Sequence, residues 1–234
     1  MTPIRAVLLD FDGVIAHTQP HYFWALWSFF GFKNIPIQKS EWDRGNFSTK
    51  SVRQIIEYIK ETHGHDIDFD ELITHVDILQ SQSIAAWLET DPSLLVFLEY
   101  CENNHIQLAI GSNSRANRVI QILKSIGISQ YFLWDTPGIH ENLNIIWAED
   151  LSHHKPDPEV WIRLAELLEV SPETCLVIED WLPWILGARD CSAIPLYYHR
   201  FCPFDKEIEE QANLWCSDFL QVIEFIESQN VPTK

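Results

Sequence analysis

The chain has 234 residues, of which 46% are hydrophobic, so it is long enough for one sizeable core or for a core with a smaller module. Its formal net charge of -18 argues against binding to nucleic acids or to anionic membranes, because both attract proteins through Lys and Arg. The five cysteines are odd in number and have no CxxC spacing, which indicates free thiols in a reducing compartment.

Within the N-terminal sequence MTPIRAVLLDFDG, a predicted strand begins at residue 4 and ends at residue 9. This leaves no room for the charged, apolar and cleavage-site regions of a secretory signal. No apolar run reaches the roughly 18 residues that suggest a membrane span. We therefore expect a cytoplasmic protein.

A helical pattern follows the first strand, from Pro20 to about Thr90. Four helices are predicted there, over residues 22–30, 51–60, 69–75 and 78–88. Four successive helices do not form a strand-to-strand crossover. We therefore predict a separate helical domain over residues 20–88.

Strands and helices then alternate along the rest of the chain. The predicted strands lie near residues 106–111, 143–148, 174–178 and 194–198, and the predicted helices near 93–103, 114–126, 158–169 and 182–190. A last helix begins at Ser217 and Asp218, which are good capping residues, and runs to Ser228. This alternation predicts an α/β domain with a parallel sheet over residues 1–19 and 89–234.

The first predicted strand ends in two acidic residues, Asp10 and Asp12, followed by Gly13. Residues i and i+2 of an extended chain project to the same face, so the two carboxylates repel each other unless the backbone bends or a cation neutralises them. Gly13 permits the bend. An acidic turn without a ligand is the alternative interpretation.

Polar residues follow two later apolar runs and also occur in a segment that precedes a predicted helix. They are Ser112 and Asn113 after QLAIG, Lys155 in HHKPDPEVW, and Glu179 and Asp180 after CLVI. The carboxyl ends of parallel strands line one crevice, so these side chains are expected to converge with Asp10. An aspartate nucleophile that forms an aspartyl-phosphate needs a divalent cation and groups that hold the phosphate oxygens. Carboxylates suit the cation, and Ser112 and Lys155 suit the phosphate.

These segments resemble the four motifs of the haloacid dehalogenase superfamily, in the phosphatase and phosphomutase branch that has a helical cap. DFDGVIAHT resembles the first motif, IGSNS the second, HHKPDPEVW the third and VIED the fourth. The motifs occur in the family's order and the resemblance covers nearly the whole chain. It implies a Rossmann-like core of three layers with a helical cap inserted after the first strand.

The resemblance also implies an enzyme, a Mg2+-dependent phosphatase acting on a small phosphate ester, and it implies a role for each matching residue. Asp10 is the expected nucleophile and Asp12 the general acid and base. Ser112, Asn113 and Lys155 are the expected phosphate-binding residues. The expected metal ligands are Asp10, Asp12, Glu179 and Asp180.

The helical insertion corresponds to the cap of this family, which recognises the leaving group of the substrate. Within it, Lys50 and Arg53 are candidates for binding a second anionic group of the substrate, although isolated basic residues at the start of a helix are also commonly solvated. Asp12 itself favours phosphate esters over haloacids. A halide leaves without a proton, whereas an alkoxide needs one.

The sequence departs from the family pattern in three places. Trp181 and Trp184 stand where the fourth motif usually has small residues, so the two indoles either narrow the cleft or lie in a packing surface. Tyr22 stands where the sugar-phosphate mutases have a cap histidine, which favours hydrolysis over phosphomutase activity. Residues 133–153 are longer than the usual connection and suggest an ordered insertion.

Two further functions remain open from the sequence. A non-catalytic binding or scaffold protein with this fold is favoured only by Trp181 and Trp184. A phosphoacceptor receiver module also combines strand-end carboxylates with a hydroxyl and a lysine, but such modules are shorter and have no cap.

Overall fold

The computed structural model describes residues 3–38, 40–41, 47, 52–136, 139–147, 150–202, 206–212 and 214–230. The chain divides into two compact units. One, the core unit, consists of Met1–His17 and Thr90–Lys234, and the other, the helical unit, is Thr18–Glu89.

The core unit is organised around a parallel sheet. The strands are β1 (Ala6–Leu9), β2 (Gln107–Gly111), β3 (Leu133–Thr136), β4 (Ile139–Leu143), β5 (Ile145–Ile146), β6 (Cys175–Glu179), β7 (Ile194–Tyr198) and β8 (Trp215–Cys216). Six of them pair in parallel in the order β5-β2-β1-β6-β7-β8, and β3 and β4 form a separate antiparallel pair. The predicted α/β fold with a parallel sheet is confirmed.

Three α-helices belong to the helical unit and six to the core unit, counted over the described ranges. They are α1 (Gln19–Phe32), α2 (Val52–His63), α3 (Phe69–Trp87), α4 (Leu94–Asn103), α5 (Ala116–Ser125), α6 (Glu159–Leu167), α7 (Leu182–Asp190), α8 (Lys206–Ala212) and α9 (Phe219–Asn230). None of these described helices has both the length and the apolar composition needed to cross a bilayer.

The register of the sheet determines which residues meet at its carboxyl edge. Leu9 of β1 lies opposite Ile110 of β2 and Ile178 of β6. Asp10 is therefore level with the end of β2 and with Glu179. All residues of β1 and β6 are buried, as expected for strands that are covered on both faces of a parallel sheet.

Helix α6 packs closely against the end of β2 because residue 111 is glycine. A Cβ at Gly111 would lie 2.8 Å from the Trp161 ring and 2.8 Å from Val160. Both of those side chains are buried in the core beside Leu8 of β1. This contact fixes the segment that carries Lys155 close to the sheet edge.

The helical unit has its own apolar core. Its buried side chains come from all three helices and from the residues between α1 and α2. They are Ala25, Leu26, Phe29 and Phe30 of α1, Ile35, Ile37 and Phe47, Ile55 and Ile59 of α2, and Leu72 and Val76 of α3. Asp68 caps α3 by accepting a hydrogen bond of 2.9 Å from the backbone N of Glu71, which satisfies one of the free N–H groups at a helix start.

Two predictions about individual elements were wrong, and two short elements were missed. The helices predicted over residues 69–75 and 78–88 are the single helix α3, because the residues between them include neither Gly nor Pro. The strand predicted over residues 143–148 is shortened to β5, since the chain before it forms the β3–β4 pair. The short elements α8 and β8 were not predicted.

Candidate active site

Five of the residues singled out from the sequence lie together at the carboxyl edge of the sheet. Asp10 follows β1, Ser112 follows β2, Glu179 ends β6 and Asp180 follows it, and Lys155 comes from the segment between β5 and α6. Each is at most 9% exposed. Five polar residues buried at one edge require mutual compensation, because an unpaired buried charge is very costly.

Lys155 provides part of that compensation. Its Nζ donates hydrogen bonds to Asp10 Oδ1, to Glu179 Oε1 at 2.8 Å and to the carbonyl oxygen of Gly111 at 3.2 Å. Burial alone would lower the pKa of Lys155, but the charges of Asp10 and Glu179 outweigh it and hold that pKa above its ordinary value. The ammonium is therefore charged at neutral pH.

The carboxylates still outnumber this cation. One ligand atom from each of Asp10, Glu179 and Asp180 lies within 4.8 Å of the others. Burial, opposed in part by Lys155, raises the pKa of Asp10 to about 6. Burial and then the charge of Asp10 also raise the pKa values of Glu179 and Asp180 well above their ordinary range.

A divalent cation fits this group of three carboxylates. Asp10 Oδ2 is buried and has no hydrogen-bond partner among the described residues, whereas a buried carboxylate oxygen normally has one. Hard cations such as Mg2+ take carboxylate oxygens as ligands. Such an ion would give Oδ2 a partner and offset the remaining negative charge.

Gly13 lets Asp180 approach the first strand. Its backbone has φ +95, and a Cβ at this position would lie 2.0 Å from Asp180 Oδ2. Any side chain at residue 13 would therefore displace the Asp180 carboxylate as well as strain the backbone.

Asp12 lies outside this group of three and has different partners. Arg118 donates to both of its carboxylate oxygens, from Nη2 to Oδ1 at 2.8 Å and from Nη1 to Oδ2 at 3.1 Å. The Ser114 hydroxyl also donates to Oδ2, at 2.5 Å. The expectation that Asp12 binds the metal is not tested by these contacts.

The sequence reasoning missed Arg118. A signal for it was available, because a cation in the first turn of a helix opposes the helix dipole, and α5 begins only two residues before Arg118. Such a placement suggests that the side chain has a specific anionic partner.

Asn113 joins the two loops that carry the phosphate-binding candidates, whereas the hydrogen bond of Ser112 lies within its own loop. The Ser112 hydroxyl accepts a hydrogen bond of 3.0 Å from the backbone N of Ser114. The Asn113 side chain donates to the carbonyl oxygen of Lys155 at 3.3 Å and accepts from the backbone N of Lys155 at 3.2 Å. The two Asn113 contacts hold the backbone of Lys155, and a direct role of Ser112 or Asn113 in phosphate binding stays a prediction.

The two tryptophans of the fourth segment lie beside the lysine. The rings of Trp181 and Trp184 have centroids 5.4 Å apart, and Lys155 Nζ lies 4.3 Å from the centroid of the Trp184 ring. A cation over an indole face is stabilised, most strongly where water is excluded. Trp184 therefore covers the ammonium in addition to packing against Trp181.

The remaining two predicted binding residues belong to the helical unit. The guanidinium of Arg53 lies 4.5 Å from the centroid of the Phe69 ring, a contact that holds it against α3. Lys50 lies outside the described residues. Substrate binding by either residue stays a prediction.

The comparisons with known proteins agree with this geometry. The model of the haloacid dehalogenase-like hydrolase family matches residues 4–191. A phosphorylated carbohydrates phosphatase of Thermotoga maritima is 22% identical over 203 residues, which cover 83% of this chain and 84% of the relative. A beta-phosphoglucomutase of Bacillus subtilis is 27% identical over 183 residues, covering 76% and 75%.

A solved structure supports the fold independently. It is a HAD family hydrolase of Deinococcus radiodurans with bound phosphate and sodium, with a TM-score of 0.76, 17% identity and coverage of 100% of both chains. At that identity the likeness concerns the fold alone.

We expect Mg2+ to raise the melting temperature, because it binds the three carboxylates of the folded state. Free metal at a hundredfold excess over Kd stabilises a protein by about 2.7 kcal/mol, which corresponds to a rise of roughly 5 to 10 °C for a chain of this size. Asp10→Asn removes one repelling charge, so in EDTA it should melt at or above the wild-type temperature and gain less from Mg2+. Thermal scans would measure both effects.

Glu224→Gln is the matched control, since it removes one acidic charge from an exposed position of α9. It should keep the full response to Mg2+. An unchanged wild-type melting temperature at millimolar Mg2+ and Mn2+ would contradict a metal site here.

The response to Mg2+ should also depend on pH. Because the pKa of Asp10 is raised from 3.8 to about 6 in the folded state, the metal-free protein binds more protons folded than unfolded between these values, and the contribution of Asp10 to stability falls as pH rises through that window. Protons also compete with the cation there. The rise in melting temperature caused by Mg2+ should therefore be smaller at pH 5 than at pH 7.5, and equal rises would contradict the raised pKa.

Gly13→Ala should weaken Mg2+ binding, an effect that backbone strain alone would not cause. Alanine at a positive φ costs about 1 to 3 kcal/mol, and here the Cβ also displaces Asp180. Gly127→Ala is the control, since Gly127 has φ +74 and no heavy atom within 4 Å of a built Cβ. Titration calorimetry with Mg2+ should show a loss of affinity only for Gly13→Ala, and equal affinities would contradict the role of Gly13.

Proposed function

This chain belongs to the haloacid dehalogenase-like hydrolases, and we propose that it is a Mg2+-dependent phosphatase that hydrolyses a small phosphorylated metabolite through an aspartyl-phosphate at Asp10. The observation that carries the proposal is the buried Asp10 carboxylate, which is held by Lys155 through Oδ1 while Oδ2 has no hydrogen-bond partner in the described parts of the chain. The predicted family is confirmed by the match to residues 4–191.

Asp10 is the proposed nucleophile. Its carboxylate forms a bond to phosphorus while the bond between phosphorus and the leaving oxygen breaks. Asp12 enters the cycle protonated and gives its proton to that oxygen, and as the carboxylate it then takes a proton from the water that attacks the aspartyl-phosphate. Inorganic phosphate leaves, and both aspartates return to their starting states.

Mg2+, bound by Asp10, Glu179 and Asp180, would supply charge neutralisation for the phosphate. The protein's own contribution is to hold the phosphate oxygens with Ser112 and Lys155. Lys155 already donates all three of its N–H groups to protein acceptors. A phosphate oxygen must therefore replace one of these acceptors, and the contact with the carbonyl of Gly111, at 3.2 Å, is longer than that with Glu179, at 2.8 Å.

Two features favour hydrolysis of a phosphate ester over the alternatives. Asp12 is available to protonate an alkoxide, which a halide does not need. Two further relatives are named as phosphatases, phosphoglycolate phosphatase 1 of Pseudomonas aeruginosa and fructose-1-phosphate phosphatase YqaB of Escherichia coli. Names as different as these support the class of reaction and leave the substrate open.

The identity of residue 22 disfavours phosphomutase activity. Tyr22 stands where the mutases have a cap histidine, and burial raises its pKa to about 12. A phenol with that pKa stays protonated at neutral pH and does not exchange protons as a histidine does. A non-catalytic scaffold is disfavoured by the compensated arrangement of Asp10, Lys155 and Glu179.

We assign specificity to the helical segment over residues 20–88, acting as the cap, with Lys50 and Arg53 as candidates for a second anionic group of the substrate. The proposed location is the cytoplasm, which agrees with five free cysteines. Because the chain has a net charge of -18, attraction for a phosphorylated substrate has to come from the metal and the local cations rather than from the overall field.

Asp12→Asn should separate the proposed acid role of Asp12 from the proposed nucleophilic role of Asp10. General acid catalysis contributes roughly 10^2 to 10^4 in rate, and it contributes least when the leaving group needs no proton. The variant should therefore lose far more activity on alkyl phosphates than on 4-nitrophenyl phosphate, measured as kcat with Mg2+. Asp10→Asn, which lacks the nucleophile, should be inactive on both.

The experiment begins with a panel of phosphate esters, assayed with Mg2+ and with EDTA. Equal losses on the two substrate classes for Asp12→Asn would contradict the acid role of Asp12. No turnover of any ester by the wild type would contradict the proposed function as a whole.

A further inference from the structure

Asp12 is held by Ser114, the last residue of the second motif, and by Arg118, which lies outside all four motifs. Arg118 contacts both carboxylate oxygens, and the Ser114 hydroxyl contacts Oδ2. Arg118 Nη1 also donates to the Ser114 hydroxyl oxygen at 2.5 Å. Each of the three side chains contacts the other two, so Arg118 and Ser114 together orient the Asp12 carboxylate.

The ion pair between Arg118 and Asp12 is expected to add little to the free energy of folding. The side chains of Arg118 and Asp12 are 22% and 27% exposed, and ion pairs that reach solvent typically contribute only about 0 to 1 kcal/mol. Arg118 also lies in the first turn of α5, where its charge opposes the helix dipole. An arginine in such a position is better explained by the geometry that it imposes than by the stability that it adds.

Arg118 binds the Asp12 carboxylate in a bidentate manner, with two N–H groups of its planar guanidinium (the fork) on the two oxygens. The terminal torsion of an aspartate side chain is broad, so its own rotamer does not fix the carboxylate plane. Two parallel N–H groups of a guanidinium do fix that plane, and a lysine in the same position would supply the charge without the fork. Proton transfer is sensitive to this orientation, because a catalytic acid must lie within hydrogen-bond reach of the leaving oxygen.

We propose that Arg118 is a positioning residue for the reaction, acting through Asp12. It holds the plane of the Asp12 carboxylate so that Asp12 meets the leaving-group oxygen, and it does not bind the phosphate itself. This inference rests on the proposed phosphatase function.

Arg118→Met removes the fork, and Arg118→Lys keeps the charge without it. Lys124→Met is the matched control, since it removes one positive charge from an exposed position of the same helix. Each variant is assayed with Mg2+ on 4-nitrophenyl phosphate and on the alkyl phosphate that the wild type hydrolyses fastest. Turnover of 4-nitrophenyl phosphate also shows that a variant is folded.

For Arg118→Met we expect kcat on the alkyl ester to fall at least about 10-fold more than kcat on 4-nitrophenyl phosphate, a part of the general-acid effect, with little change in KM. Arg118→Lys should recover part of this loss, and Lys124→Met should behave as the wild type. In the Asp12→Asn background, Arg118→Met should cause no further loss on the alkyl ester, because residues that act through one group are not additive.

Equal losses on the two substrates would overturn the inference while leaving the proposed function intact. An additional loss in the Asp12→Asn background would show that Arg118 contacts the substrate directly, and full recovery by Arg118→Lys would show that charge alone matters; each result overturns the positioning role. If Arg118→Met does not fold, the ratio of the two activities in Arg118→Lys decides. If the wild type hydrolyses neither ester, the proposed function fails and this inference fails with it.

Discussion

The buried ammonium of Lys155 is the interaction on which the arrangement of this strand edge depends. It joins the residue after β1 to the residue that ends β6, because its Nζ donates to both Asp10 and Glu179. Without it, three carboxylates would be buried together with no cation from the protein, at a large desolvation cost. Its position is set from outside the sheet, by the two hydrogen bonds to Asn113 and by the ring of Trp184.

Small residues at two places make this arrangement possible. Gly111 lets Trp161 of α6 pack against the end of β2, and Gly13 leaves room for the Asp180 carboxylate. In both places a single methyl group would occupy space that a functional segment needs. Of the two large indoles at positions 181 and 184, that of Trp184 lies over the Lys155 ammonium and that of Trp181 packs against Trp184.

Much of this site was predictable from the sequence, for a physical reason. Strands buried on both faces are continuous apolar runs, so the polar residues that end them at Asp10, Ser112 and Glu179 are conspicuous, and parallel pairing brings such ends together. Arg118 was missed because an arginine in a helix is ordinarily solvated; its place in the first turn suggests an anionic partner, but the sequence does not show that this partner is Asp12. The division of α3 into two helices was wrong because the two residues between the predicted helices, Val76 and Asp77, include no helix breaker, and Val76 belongs to the buried face of the single helix.

The pair of acids at positions 10 and 12 shows how one short segment can carry two functions. Their spacing alone predicts two carboxylates that repel each other on one face, to be relieved by a bend or by a cation. The structure has the bend, at the positive φ of Gly13, and it also gives each acid its own basic partner, Lys155 for Asp10 and Arg118 for Asp12. The Asp10 side chain is 2% exposed and the Asp12 side chain is 27% exposed. A nucleophile benefits from exclusion of water, whereas a group that exchanges protons with a leaving group and then with water has to be reached by both, so the environments of the two carboxylates match the two roles proposed for them.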